Sequence, residues 1–102
     1  MVLKNVDIQK KAEISHGGRV ACRSIVTADG EMKSLGLMLP GTFRFSSERA
    51  ETIEITQGHC RVKLESEQAW SEYESGQTFD VPANSHYEIE VTDLLDYVCH
   101  LH

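Results

Sequence analysis

The stretch that decides the fold runs from residue 51 to residue 64 and reads Glu51-Thr-Ile-Glu-Ile-Thr-Gln-Gly58-His-Cys-Arg-Val-Lys-Leu64. Apolar residues stand at every second position on both sides of Gly58; they are Ile53 and Ile55 before it, and Cys60, Val62 and Leu64 after it. This period of two is typical of β-strands with one buried face, and Gln57-Gly58 supplies a turn signal between them. We therefore expect two strands joined by a tight turn.

The same alternation continues outward in both directions from this pair. Turn signals separate the apolar stretches; they are Ala28-Asp29-Gly30, Pro40-Gly41 and Ser75-Gly76. No segment combines a helical period with capping residues. The pattern predicts about nine short strands, which is typical of an all-β sandwich or barrel. A small closed barrel would also leave no exposed strand edge.

The size and charge of the chain restrict its organisation and its partners. With 102 residues it fits one domain, 1–102, in which the polar residues 1–18 form a loose entry or an edge segment. A formal net charge of −6 argues against general binding of nucleic acid, which needs a basic surface. No apolar run reaches the roughly 18 residues of a membrane helix. Since Met1–Lys11 has no apolar stretch of signal-peptide length, we expect a cytoplasmic protein.

The three cysteines predict packing rather than a disulfide framework. Cys22, Cys60 and Cys99 are an odd number at wide spacing, and no Cys-x-x-Cys pair occurs. We expect them to be reduced thiols in the core.

Two spacings in the chain resemble the motifs of cupins, which are small double-sheet β-barrels. Glu51 is followed after six residues by Gly58, and Gly76 is followed after five residues by Pro82. The resemblance implies a single-domain, cupin-like double-stranded β-barrel, or jelly roll.

The metal-binding histidines of cupins have no counterparts at the matching positions. Phe45 and Ser47, or Arg44 and Ser46 in the alternative register, stand where two histidines would precede the glutamate. Tyr87 stands at the third histidine position, and His86 falls one residue early, on the opposite face of its strand. Of four usual ligands only Glu51 remains, so we expect a cupin-like pocket that has lost its metal.

Six strings in the same order narrow the resemblance further. They are Ser34-Leu-Gly-Leu-Met-Leu-Pro-Gly41, Phe43-Arg-Phe-Ser-Ser47, Glu51 with Gly58, Trp70 with Tyr73, Phe79-Asp-Val-Pro-Ala-Asn84 and Tyr97-Val-Cys99. Together they resemble the short single-domain cupins of the pyrimidine/purine nucleoside phosphorylase family. The match is strongest from Gly30 to Cys99 and weak over residues 1–29.

The resemblance implies an enzyme, a pentosyltransferase with broad specificity. A purine or pyrimidine nucleoside and inorganic phosphate would give the free base and ribose 1-phosphate or its deoxy analogue. The family implies no metal and no organic cofactor, with phosphate as the co-substrate. It also implies a homodimer.

Two residues are our candidates for catalysis. Glu51 has the parity of Ile53 and Ile55, so its carboxylate should point inward, where it could oppose the positive charge that develops on ribose. The hydroxyl of Tyr87 could bond phosphate or the base. The structural alternatives are a glutamate satisfied by backbone donors or at the rim, and a tyrosine that fills the barrel.

Four further residues on one strand are candidates for substrate binding. Phe43 and Phe45 could stack on a base, which suits broad specificity because every base has a π-face. Ser47 could donate a hydrogen bond to phosphate or ribose, and Arg44 is one of several possible phosphate ligands, with Arg23, Arg49 and Arg61. The alternatives are core packing for the two rings, a loop-capping role for Ser47, and a solvated surface charge for each arginine.

Two other functions stay open at this point. One is a non-catalytic cupin that binds a sugar, a nucleoside or another small ligand. The other is a metal-dependent cupin enzyme, against which the missing histidines argue.

Overall fold

The computed structural model describes residues 2–102, and most of them lie in short β-strands. Eleven strands are formed in this range: β1 (Asp7–Ile8), β2 (Glu13–Ser15), β3 (Val20–Val26), β4 (Met32–Met38), β5 (Gly41–Ser47), β6 (Glu51–Gln57), β7 (His59–Leu64), β8 (Ser71–Glu74), β9 (Thr78–Val81), β10 (Ser85–Val91) and β11 (Leu95–Leu101). The only helical segment among the described residues is a short 3-10 turn at His16–Gly18. The all-β prediction is confirmed, and the tight turn at Gly58 joins β6 to β7 as expected.

The strands form two antiparallel sheets. The larger sheet has the order β1-β3-β4-β11-β6-β9, with β2 also paired to β3, and the smaller sheet has the order β5-β10-β7-β8. Strands that follow one another in the chain therefore often lie in different sheets, as in a jelly roll.

The two sheets are not joined into a hydrogen-bonded ring. Every strand pairing among residues 2–102 is made within one sheet, so the seams between the sheets stay open in the hydrogen-bonding sense. The expected closed barrel is therefore wrong in this detail. Side chains that point inward from both sheets fill the space between them, and packing rather than backbone pairing closes the core.

The core follows the period of two in the sequence. Ile53 and Ile55 on β6 and Ile89 on β10 are at most 2% exposed, and Val62 on β7 is 1% exposed. The intervening polar residues on these strands point to the outside. Burial of such side chains contributes roughly 2 kcal/mol each, so this row holds the two sheets against each other.

The N-terminal segment lies along the edge of the larger sheet. Ile8 pairs with Ile25, and Ser15 pairs with Val20, so both short strands extend β3 on the same side. Residues 13–16 thereby reach the mouth of the space between the sheets.

The last strand occupies a central place in the larger sheet. β11 lies between β4 and β6, so the last strand of the chain is not an edge strand. His100 is half-buried and forms a hydrogen bond of 2.8 Å with Glu54 on the outer face. Strands with long-range partners on both sides cannot be identified from local sequence alone.

Two global features were also expected from composition. Over residues 2–102 no helix is long and apolar enough to cross a membrane. Cys60 and Cys99 are free and buried, as predicted for core thiols, whereas Cys22 is free and only partly buried.

Gly58 should contribute more to stability than a glycine in the same conformation at an open position. Its φ is +97°, and a Cβ there would stand 2.2 Å from the carbonyl oxygen of Leu94. Gly76 has a φ of +91° with nothing within 4 Å. We expect Gly76→Ala to lower the free energy of unfolding by about 1 to 2 kcal/mol, and Gly58→Ala by more than about 3 kcal/mol because of the added clash.

Urea denaturation of the two variants and the parent measures this difference. Equal losses for Gly58→Ala and Gly76→Ala would show that the Leu94 contact relaxes freely.

Candidate active site

A cavity of about 270 Å³ opens between the two sheets at the end covered by the N-terminal segment. Its walls come from both sheets and from residues 13–16; they are Glu13, Ser15, His16, Val20, Cys22, Ser34, Met38, Phe45, Ser46, Glu51, Ile53, Tyr87, Tyr97 and Cys99. Three of the six residues expected at the site, Glu51, Phe45 and Tyr87, are therefore brought together. The volume is close to the lower end of the range for ligand sites.

Glu51 is the acidic group on the inner face. It begins β6 between β9 and β11, with Val81 and Leu101 as its neighbours in register. Burial raises the pKa of the Glu51 carboxyl, and a hydrogen bond with the Cys99 thiol opposes that shift. The carboxylate is thus partly shielded from solvent, which strengthens its interaction with any positive charge in the cavity.

The phenols and thiols beside Glu51 stay protonated. Burial, then the charge of Glu51, raises the pKa of Tyr87 well above its ordinary value. Burial is also the main cause that raises the pKa of Tyr97 and the pKa of Cys99, the latter to about 12. The Tyr87 and Tyr97 hydroxyls can therefore act as neutral hydrogen-bond donors.

Aromatic rings form one side of the cavity. Phe45 stacks on Tyr87 with ring centroids 5.6 Å apart and an interplanar angle of 26°. His16 lies on Phe45 with a centroid distance of 4.6 Å. Phe43 is 5% exposed and belongs to the core, where it contacts His16 edge-on at 5.5 Å. Of the two phenylalanines only Phe45 lines the cavity, and Phe43 supports it from behind.

Ser47 does not reach the cavity. Its side chain is buried, and its hydroxyl donates to the backbone oxygen of Pro82 at 2.6 Å while accepting from the amide of Ser85 at 3.2 Å. These bonds tie the end of β5 to the connection between β9 and β10. The neighbouring Ser46 lines the cavity instead, because β5 ends at the rim.

The arginines lie outside the cavity. Arg44 is exposed, on the face opposite Phe43 and Phe45, as strand alternation requires. Arg61 forms a bidentate pair with Glu90, with both distances 3.0 Å, and Arg49 donates to the terminal His102 oxygen at 2.7 Å. The residues that line the cavity include no lysine and no arginine.

Sequence reasoning missed several groups at the site. Ser15 and His16 come from the segment expected to be a loose entry or an edge segment, and no local pattern shows that it folds over the cavity. Tyr97 carried a usable signal, because Gly36 stands beside it on β4. A Cβ at Gly36 would lie 2.5 Å from the Tyr97 ring, and a glycine inside a strand often marks such close approach.

The residues present do not fit a metal ion. Among residues 2–102 there is no group of three or more histidine, cysteine, aspartate or glutamate side chains arranged to hold one. Phe45 and Tyr87 fill two of the positions where metal-binding cupins have histidines, and Ser47 is committed to the backbone.

A larger groove of about 600 Å³ lies elsewhere, on the outer face of the larger sheet. The N-terminal residues Val2, Leu3 and Val6 form much of its wall, and Glu54 and His100 are among its polar groups. It contains none of the inward-facing residues described above. The inward-facing carboxyl, phenol and thiol groups of Glu51, Tyr87, Tyr97 and Cys99 are in the smaller cavity.

The two-sheet fold and this cavity define a class of proteins with a cupin-like fold, here without histidines at the inner positions of β5 and β10. A cupin superfamily protein from Desulfitobacterium hafniense superposes with a TM-score of 0.67 over 89% of this chain and 81% of its own, at 13% identity. This likeness confirms the cupin-like fold.

More specific matches narrow the class to one family. The family model of pyrimidine/purine nucleoside phosphorylase matches residues 10–101. A relative from Herminiimonas arsenicoxydans, named pyrimidine/purine nucleoside phosphorylase, is 44% identical over 94% of this chain and 92% of its own. A solved protein from Acinetobacter sp. ADP1, described as of unknown function, superposes with a TM-score of 0.94 at 37% identity over 97% of this chain and 96% of its own. The chain belongs to the pyrimidine/purine nucleoside phosphorylase family.

The raised pKa of Glu51 predicts a specific pH dependence of stability. The folded state holds this proton to higher pH than the unfolded state, so stability is lost as pH rises from the ordinary glutamate pKa through the raised value. We expect Glu51→Gln to remove this loss and to be at least as stable as the parent at neutral pH. Urea midpoints from about pH 4 to about pH 8 measure the effect.

The exposed Glu48 provides the control, because Glu48→Gln should follow the parent at every pH. A Glu51→Gln curve parallel to the parent would show that Glu51 ionises as it does in the unfolded chain.

Proposed function

We propose that this protein catalyses phosphorolysis of purine and pyrimidine nucleosides, with broad specificity and without a metal or organic cofactor. The base is released free, and the pentose leaves as its 1-phosphate. Family membership supports the reaction class. The inward position of Glu51 is the observation that supports assigning this reaction to the cavity.

Breaking a glycosidic bond places positive charge on the pentose in the transition state. A carboxylate with few solvent contacts stabilises such a charge more strongly than one in water, and it needs no reorganisation when the charge appears. Glu51 meets this requirement because burial on the inner face raises its pKa. Its oxygens also accept hydrogen bonds from pentose hydroxyls.

The atoms balance with hydrogen phosphate as the second substrate. An oxygen of phosphate forms the new bond to C1′ as the bond from C1′ to the base nitrogen breaks. The base nitrogen keeps the electron pair and receives the proton that phosphate brought. The chain need only hold the two reactants in line, and positioning alone contributes several kcal/mol.

Neutral donors rather than arginines would hold the phosphate. Ser46 lines the cavity mouth, and the almost fully buried Tyr87 and Tyr97 lie deeper. Protonated hydroxyls donate to phosphate oxygens, and the raised pKa values of the two tyrosines keep them protonated.

Two wider features complete the proposal. Free thiols at all three cysteines suit a reducing compartment, which supports a cytoplasmic protein.

Exposed apolar side chains on one side of the larger sheet, among them Leu37 and Ile14, are of the kind that a homodimer covers. Sedimentation of the purified chain tests the homodimer.

Purified protein should release free base from adenosine and from uridine only when phosphate is present. Chromatography of base and pentose 1-phosphate measures this after removal of metals with a chelator, which should not change the rate. Binding of nucleoside without release, or release in a phosphate-free blank at the same rate, would contradict phosphorolysis; the first result would favour a non-catalytic binding protein.

Glu51→Gln should lower kcat for both nucleosides by about 100-fold to 1000-fold, because the amide keeps the shape and loses the charge. The matched control is Glu54→Gln on the same strand, whose side chain lies on the outer face. Loss of activity in both variants alike would assign the effect to the sheet rather than to the cavity.

A further inference from the structure

The N-terminal segment places one histidine over the cavity in a conformation that ordinary residues avoid. His16 has a φ of +54°, and Gly17 and Gly18 follow with +68° and +87°. A non-glycine residue in this region costs about 1 to 2 kcal/mol. Such backbone strain persists where the surroundings enforce it, often at ligand sites.

Both nitrogens of the His16 ring are engaged by the protein. Nε2 lies 3.0 Å from the backbone oxygen of Arg44, and because a carbonyl only accepts, Nε2 carries a proton. Nδ1 lies 2.9 Å from the Ser15 hydroxyl, which donates to it when the ring is neutral. These bonds orient the ring and leave its polar edge occupied.

One face of the His16 ring remains for another contact. One side packs on Phe45 at a centroid distance of 4.6 Å, yet the residue as a whole is exposed and lines the cavity. Phe45 in turn stacks on Tyr87. His16 is therefore the outermost member of an aromatic column whose inner end adjoins Glu51.

We propose that His16 is a specificity-determining residue, an aromatic wall on which the base of the nucleoside stacks at the cavity mouth, with the pentose directed inward, toward the end of the cavity that holds Glu51. This inference rests on the proposed phosphorolysis for its substrate class. Stacking contributes about 1 to 3 kcal/mol for any base. A wall of this kind therefore accepts purines and pyrimidines alike, whereas a site built on hydrogen bonds to base edges would discriminate between them.

A phosphate-binding role for the same histidine makes different demands. It is the only basic side chain among the described residues that line the cavity, but an anion would need a free ring N–H. The N–H at Nε2 is committed to Arg44, and Nδ1 is occupied by Ser15. The geometry therefore favours stacking of a base on the face of the His16 ring over binding of an anion at the edge of the ring.

Kinetics of His16→Ala and His16→Phe separate the two roles. We expect His16→Ala to raise KM for adenosine and for uridine by a similar factor of about tenfold, with KM for phosphate unchanged. His16→Phe keeps an aromatic face, so its KM for adenosine and its KM for uridine should equal those of the parent. His16→Asn, which tolerates positive φ without an aromatic ring, should match His16→Ala and so excludes a folding defect.

His59→Ala is the matched control, because His59 is an exposed histidine on β7 away from this cavity, and its kinetics should equal those of the parent. The proposal is overturned if His16→Ala raises KM for phosphate and His16→Phe does not restore it. It is also overturned if only one nucleoside is affected, or if nothing changes.

Equilibrium dialysis with free adenine measures binding of a base without catalysis, so it tests the proposed stacking on His16 independently of turnover. Weaker adenine binding by His16→Ala than by the parent supports the wall even if the parent shows no phosphorolysis, in which case only the proposed function fails. Turnover by the parent with equal adenine binding by both proteins overturns the wall and leaves the function standing. A parent that neither binds adenine nor turns over nucleosides contradicts both.

Discussion

The contact between the inner faces of the two sheets is the constraint on which the rest of the molecule depends. β6 contributes Ile53 and Ile55 to it, and β10 contributes Ile89, all of them almost fully buried. Because alternate residues on a strand share a face, the same registration that buries these isoleucines also turns Glu51 inward. The packing that stabilises the fold therefore places a carboxylate where it is partly shielded from solvent. Its raised pKa is the consequence, and a group that lowers stability when ionised is commonly retained for function.

Aromatic side chains stand in this cavity at positions where metal-binding cupins have histidines. In metal-binding cupins the inner positions on β5 and β10 would carry histidines, whereas here Phe45 and Tyr87 stack against each other. Aromatic faces and neutral hydroxyls provide attraction for a base and donors for oxygens, and Glu51 provides negative charge. These groups suit a reaction in which positive charge develops on a sugar and no electron transfer is needed.

Much of the fold and part of the site could be predicted from the sequence. Period-two alternation identified β3 to β11, and the spacing of Glu51 to Gly58 and of Gly76 to Pro82 indicated the cupin arrangement. The alternation of residues along each strand correctly predicted that Glu51 and Tyr87 face inward and that Arg44 faces outward. The same alternation predicted that Phe43 faces inward. It could not distinguish a phenylalanine packed in the core from one that lines the cavity, because both point to the same face of the strand. Ser47 was predicted to lie at the cavity by analogy with a histidine position, whereas its hydroxyl bonds the backbone oxygen of Pro82 and the amide of Ser85.

The sequence by itself determined which residues face inward, since that depends only on the alternation along each strand. It also determined the family, through strings that stay in order along the chain. Only the tertiary structure decided that residues 13–16 cover the cavity, that β11 lies in the middle of the larger sheet, and that the sheets meet by packing without hydrogen-bonded closure. These features depend on contacts between segments far apart in the chain, and such contacts leave no periodic signal in the local sequence.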